Sequence, residues 1–299
     1  MEPMGTKTRP PTVRQRRLAG ELRALRHAAG MSREEVAKQT DINTATLYRI
    51  ESAKVRPQRR TLMALLDKYG VTEENRRSEL VSLAKHSSQL GWLQTFESEL
   101  PELFTTYISF ETDARSVFSY ETGAIPGLLQ TADYARAVIT DGLPQVSAEE
   151  IEDRIVARLK RQDSFKKKDP LHLWAVIDEA ALHRQVGGPK VMAEQLEYLT
   201  AVVNKPYITL QVLPFAGGAH PGMMGSFTLM HFPDPVDPSL VYIESMAGDL
   251  FLESEPDVRR YTGIMEHLRA AALNPADSVR LISKIAGTMQ MPRGGAKSD

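Results

Sequence analysis

Ser32-Arg33-Glu34-Glu35-Val36-Ala37 and, a short turn later, Asn43-Thr44-Ala45-Thr46-Leu47-Tyr48-Arg49-Ile50-Glu51-Ser52 decide how the first part of this chain is read. Ser32, with Glu35 three positions on, has the form of a capping box, in which each side chain satisfies the other residue's free backbone amide. The spacing predicts a short helix with Val36 and Ala37 on its buried side. Asn43 caps a second short helix reaching about Ser52, with Leu47 and Ile50 turned inward beside Ile42. Helical periodicity then leaves Thr44, Ala45, Tyr48 and Arg49 outward.

Longer helices flank this pair. Leu18, Leu22 and Leu25 recur at helical spacing over Val13 to Ala29, and Gly30 supplies the stop. Pro57 precedes a helix carrying Leu62, Leu65, Leu66 and Tyr69, which ends near Gly70; a further helix is expected from about Glu73 to His86. Two short helices around a tight turn, held between longer ones, form a helix-turn-helix, whose second member enters the major groove of double-stranded DNA. On that reading Arg49 donates two parallel bonds to a guanine edge, Thr44 gives or accepts one, and Ala45 meets a thymine methyl, with Tyr48 beside them. Arg33, Lys54, Arg56, Arg59 and Arg60 are placed to meet phosphates, which sets affinity and register without selecting sequence. A helical bundle with a merely polar face is the competing reading. The order of caps, turn and basic cluster favours DNA.

Charge points the same way. Up to Leu90, 18 lysines and arginines face 10 aspartates and glutamates, a formal +8; the rest of the chain carries 19 against 28, a formal −9. A basic part facing a polyanion and an acidic part with another task fit that asymmetry. The 299 residues leave room for two domains, and the absence of cysteine excludes disulfides, thiolate catalysis and cysteine-bound zinc. Met1 to Pro11 is polar and proline-bearing where an export signal would be apolar, and no stretch approaches a membrane span, so the expected location is the cytoplasm with no membrane partner.

From Gly91 onward the pattern changes. Trp92, Phe96, Leu100, Leu103 and Phe104 accompany a helical start, and an aromatic-rich stretch runs on through Tyr107, Phe110, Phe118 and Tyr120. Helices are expected over Ala132 to Ile139, Glu149 to about Phe165, Val191 to Val203 and Pro256 to Ala272, with a short one over Ser278 to Ile285. Strands are expected over Leu171 to Ile177, Tyr207 to Leu213, Phe227 to Phe232 and Leu240 to Glu244, with Gly248 to Leu252 a further candidate. The fold class is therefore an all-α helix-turn-helix domain followed by a mixed α/β domain whose sheet is covered by helices. Its expected segments are a disordered tail over 1–12, the reader over 13–88, the second domain over 89–289 and a second tail over 290–299. No catalytic constellation emerges: the histidines lack metal-ligand spacing, and the Gly217–Gly222 loop lacks the lysine and hydroxyl residue of a phosphate loop. Neither cofactor nor metal is expected, and the chain is read as a non-enzyme.

Two resemblances sharpen this. Leu22 to Arg26, Met31 to Ala37, Ile42 to Glu51 and Pro57 resemble the Cro/C1-type repressors, also called the xenobiotic-response-element family. The resemblance implies that Arg26 pairs with Glu51, locking the first helix to the recognition helix, with Arg26 also a candidate to reach a phosphate. Arg33 and Ala45 depart from the glutamines common in that family. The second resemblance rests on Tyr120-Glu121, Ile125 to Thr131, Tyr134-Ala135, Arg158, Arg161-Gln162, Asp178 to Leu182, Gln195-Leu196, Gln211 to Phe215, Gly218 to His220 and Phe227. These look like the domain of unknown function DUF5753 that follows a Cro/C1-type reader in actinobacterial regulators of development and antibiotic production, often encoded beside a small partner protein.

A homodimer reading two half-sites and sensing a small effector through its second domain is the leading functional expectation. Control by a small partner protein encoded nearby, or a DNA-tethered enzyme, are the alternatives. A ligand pocket is sought around Tyr120, Ile125, Trp174, Glu179, Phe215 and His220, against ordinary core packing of the same side chains.

Overall fold

The computed structural model describes residues 13–86, 100–143, 146–233, 237–245 and 248–290. Residues 1–12 and 291–299 of the expected tails, and the helical start at Trp92 and Phe96, lie outside the described residues. The chain divides into two compact units, with the boundary between Asp113 and Ala114.

Among its described residues the first unit has helices and no strand: α1 (Val13–Ala28), α2 (Arg33–Gln39), α3 (Thr44–Glu51), α4 (Arg59–Lys68), α5 (Glu74–His86) and α6 (Glu102–Asp113). Its ends follow from local chemistry. Gly30 and Gly70 take positive φ where α1 and α4 stop. Ser32 and Glu35 complete the capping box of α2, and Asn43 accepts the Thr46 amide at 2.7 Å to start α3. Leu18 and Leu22 of α1, Val36 of α2, Leu47 and Ile50 of α3, and Leu62 and Leu66 of α4 meet in one core closed by Leu80 of α5. Burial of each leucine contributes about 1.5–3 kcal/mol, which fixes helices too short to persist alone.

The second unit is a six-stranded sheet: β1 (Ser116–Glu121), β2 (His172–Asp178), β3 (Ile208–Leu213), β4 (Phe227–His231), β5 (Leu240–Ile243) and β6 (Leu250–Leu252). Their order is β3-β2-β1-β4-β5-β6; β1, β2 and β3 run parallel, and β4, β5 and β6 continue antiparallel. Six helices accompany it: α7 (Ala132–Gly142), α8 (Ala148–Lys160), α9 (Glu179–His183), α10 (Gly188–Val202), α11 (Glu255–Ala271) and α12 (Pro275–Gln290). Met265 and Leu268 of α11 pack on Tyr120, Val176, Leu213, Phe227 and Val241 across one face of the sheet. The outer margin of β3 is closed without another strand: the Val212 amide donates to Ser278 Oγ and the Leu273 amide to the Val212 carbonyl, each at 2.9 Å.

The sequence pattern is corrected at three places. The central strand β1 lies in the stretch read only as aromatic-rich; its polar residues Ser116, Ser119 and Glu121 fall on both faces, so it lacks the alternation that marks a half-exposed strand. The helix expected over Glu149 to Phe165 gives way after Lys160 to a 3-10 segment, Arg161–Lys166. The short final helix is the full-length α12, opened by Asn274, whose Oδ1 accepts the Asp277 amide at 2.9 Å.

Candidate nucleic-acid interface

Helix α3 presents two chemically distinct sides. Leu47, Ile50 and Glu51 are buried, whereas Ala45, Tyr48 and Arg49 are exposed and Thr44 is half-exposed beside them. An exposed tyrosine on a small domain needs holding, and here cations lie on it: the Arg33 guanidinium is 5.5 Å and the Lys54 ammonium 5.4 Å from the ring centre. Arg49 Nη2 donates to Thr46 Oγ1 at 3.3 Å, leaving the rest of its fork to solvent.

The acid in this helix is withdrawn from that surface. Glu51 is 2% exposed and takes Arg26 Nε on one oxygen at 2.6 Å and Arg26 Nη2 on the other at 3.1 Å. Arg33 Nε adds a third bond at 2.7 Å. Burial pushes the Glu51 carboxyl up, but the bonds and charges of Arg26 and Arg33 outweigh it and hold the group below the usual carboxylate range. Arg26 spends its remaining nitrogen on the Met31 carbonyl at 2.7 Å and is 5% exposed, so it does not reach for a phosphate. Arg23 also donates to the Glu51 carbonyl, covering an orphan acceptor at the end of α3. One carboxylate thus joins α1, α2 and α3.

Arg33 has a double task on this geometry, because 34% of its side chain stays in solvent while its Nε is bound to Glu51. Lys54, Arg56, Arg59 and Arg60 are all exposed. They follow a turn that the sequence does not announce: Ala53 adopts φ +56, with its carbonyl held by Gln15 Nε2 at 2.9 Å. That left-handed residue redirects the chain, so the cations emerge directly beyond α3.

In the second unit, the sought pocket residues separate into three places. At the carboxyl ends of β1 and β2, the Tyr120 ring meets His220 edge-on at 6.1 Å, and His220 Nε2 lies 3.5 Å from Asp178 Oδ2. The Asp178 carboxylate also caps α9 through the Ala180 amide at 2.9 Å. Burial, then the Asp178 charge, pushes the Tyr120 hydroxyl up from its ordinary value. Close by in sequence, Glu179 accepts the Phe215 amide at 2.8 Å, and His183 stacks on Phe215 at 5.7 Å. Trp174 lies further back on β2, under Arg269 of α11. Ile125 is buried in a loop, its amide donating to the Tyr134 hydroxyl at 3.1 Å. Asp178 is the member that sequence reasoning left out; its place at the end of a strand is the signal that could have found it.

Four of the segments carrying the second resemblance, those with Ile125 to Thr131, Arg158, Arg161-Gln162 and Gln195, meet at the loop after β1. Gln130 Nε2 donates to the Ile125 carbonyl at 2.7 Å, while Arg158 and Gln162 bond to Gln130 at 2.9 and 2.7 Å. Gln195 accepts the Thr131 amide and donates to the Leu129 carbonyl, both at 2.7 Å. At Gly127 a side chain would meet the Arg161 guanidinium at 3.0 Å, so glycine makes room for a buried cation. Beside this loop, burial pushes the Glu121 carboxyl up to about 7 against the bonds it receives. These polar side chains fix backbone; their spacing in sequence reflects a shared structural duty. Among the described residues no group of three or more histidines and carboxylates is placed to hold a metal ion, and no helix is long and apolar enough to cross a membrane.

Comparison with known protein families also divides the chain in two, with α6 falling in the second region. A model described as a helix-turn-helix domain matches residues 17–80, and the domain of unknown function DUF5753 matches residues 104–284. Among curated proteins and among solved structures, nothing matches the chain.

Proposed function

Because the chain belongs to the DUF5753 family and carries a helix-turn-helix domain ahead of that region, we propose that it is a sequence-specific transcriptional regulator whose second unit dimerises and senses a signal. The observation that carries the DNA-reading part is the composition of the α3 surface. Arg49, Tyr48, Ala45 and Thr44 face outward, four exposed cations follow, and the acid of the helix is buried between two arginines. That surface attracts a polyanion and offers one residue suited to a guanine edge.

Dimerisation supplies what a single small reader lacks, since two copies on half-sites about 34–36 Å apart gain affinity and specificity together. The buried Arg26–Glu51 pair supports the Cro/C1 subtype. The resemblance of the chain's second region to actinobacterial regulators is the ground for proposing such an origin, a cytoplasmic location and a role in development or secondary metabolism. The reading involves no catalytic step. A second reading, control by a small partner protein, draws on the exposed apolar side chains Phe215, Met223 and Met224 of the second unit.

Anisotropy titration with fragments of the protein's own promoter tests the reader. Arg49→Ala is expected to lose about 1–3 kcal/mol on the preferred fragment, with a smaller loss on unrelated DNA. Equal affinity and selectivity in that variant would remove α3 from base reading.

A further inference from the structure

Arg269 stands on the last turn of α11 with its guanidinium carbon 3.6 Å from the centre of the Trp174 ring and 5.6 Å from that of Phe118. Its Nε is buried without a hydrogen-bond acceptor, and among the described residues no carboxylate pairs with it. Other arginines of this unit are held by acids. Arg136, Arg154, Arg259 and Arg280 each pair with a glutamate or aspartate, and acids outnumber bases after Leu90. The cation–π contact accommodates the charge from one side and satisfies none of the N–H donors.

The floor beneath it is fixed. Trp174 Nε1 donates to Gln211 Oε1 at 2.8 Å, and Gln211 Nε2 donates to the Leu273 carbonyl at 2.9 Å and the Arg269 carbonyl at 3.4 Å. One glutamine therefore orients both the indole and the backbone that carries the guanidinium. Phe118 continues the floor, stacked beside Trp174 at 6.3 Å, with the His231 ring edge-on at 5.4 Å. His231 is itself held, its Nδ1 2.7 Å from Ser239 Oγ. Phe118, Trp174 and Arg269 are half-buried, so the cluster keeps an open side. A preorganised aromatic floor and an arginine fork with unmet donors match a flat ligand ending in an anion.

We propose that Arg269, with Phe118 and Trp174, binds a small aromatic carboxylate, the carboxylate in the guanidinium fork and the ring along Phe118. This names a ligand class for the sensing role proposed above and rests on that reading for its regulatory use.

The full-length chain has two tryptophans, Trp92 and Trp174, so Trp92→Phe leaves Trp174 as the reporter. Titrating that variant with benzoate should give a saturable change in emission. Benzamide, which lacks the charge, and acetate, which lacks the ring, should bind about tenfold more weakly or not at all. Adding Arg269→Gln should abolish the benzoate response, and Arg269→Lys, which keeps the charge without the fork, should weaken it. A saturable response to benzamide as strong as that to benzoate, or no response to benzoate at all, would overturn the proposal without any substitution at Arg269. A folded Arg269→Gln protein with an unchanged response would overturn it as well. The titration contains no DNA, so its outcome is independent of whether α3 reads an operator.

Discussion

Glu51 shows how far one side chain can determine a surface. Its carboxylate is the only acid of α3, and three N–H donors from Arg26 and Arg33 take it out of the face offered to DNA. The unfolded carboxyl titrates near its ordinary 4.5 and the folded one lower, so the unfolded chain binds more protons between those values. The stability Glu51 contributes is complete above about pH 4.5 and is lost as pH falls through the folded value. Glu51→Gln is therefore expected to cost about 3–5 kcal/mol at neutral pH, because it leaves a buried guanidinium unpaired. Urea unfolding should show the wild-type advantage shrinking towards pH 3; a gap as wide there as at pH 7 would exclude the charge as its cause. The Arg26 partnership is legible only through the resemblance to Cro/C1 repressors. Arg33 is not legible as the third member, since a residue early in α2 reaches Glu51 by the angle between helices, which periodicity does not encode.

At the scale of elements, the first unit is legible because its punctuation is local. Ser32, Asn43, Gly30 and Gly70 act on their own backbone, so their effect can be read a few residues at a time. The second unit depends on partners distant in sequence. Strand β1 is recognisable as a strand only beside β2 and β4, which pair with it from far along the chain. The turn after α3 is the local element that escapes, because alanine gives no hint of a left-handed residue. Ala53 at φ +56 carries a strain of about 1–2 kcal/mol that glycine would not. Glycine returns part of that through a freer unfolded chain, so Ala53→Gly should stabilise the first unit by roughly 0.5–1 kcal/mol. Its melting temperature should rise by a few degrees. A lower one would mean that the methyl group contributes packing worth more than the strain.

For the whole molecule, the division of charge makes ionic strength the most direct probe of what the first unit does. Removing one cation that meets a phosphate should reduce the slope of log affinity against log salt by about 1. Arg59 and Arg60 are exposed at the start of α4. If two copies bind one operator, every substitution is counted twice, so Arg59→Ala should lower the slope by about 2 and weaken all sequences alike. A reduction near 1 would indicate one reader per site, and no reduction would remove Arg59 from the interface. The second unit should contribute little to this slope, since the chain beyond Leu90 carries a formal −9.

The carboxylate that joins α1, α2 and α3 also orders the routes by which this reader can change through descent. Arg33 can be exchanged first, because 34% of its side chain is already solvated and water can take its place. The side chains of Arg26 and Glu51 are 6% and 2% exposed, so exchanging either alone leaves a buried charge short of its partner, and the pair is replaced most readily together by apolar side chains of similar volume. Ala45 and Arg49 are exposed and take no part in that joint, whereas Tyr48 lies against Arg33, one of its members. Through Ala45 and Arg49 a lineage can therefore acquire a new operator preference one substitution at a time, while the joint that aims the helix is inherited unchanged.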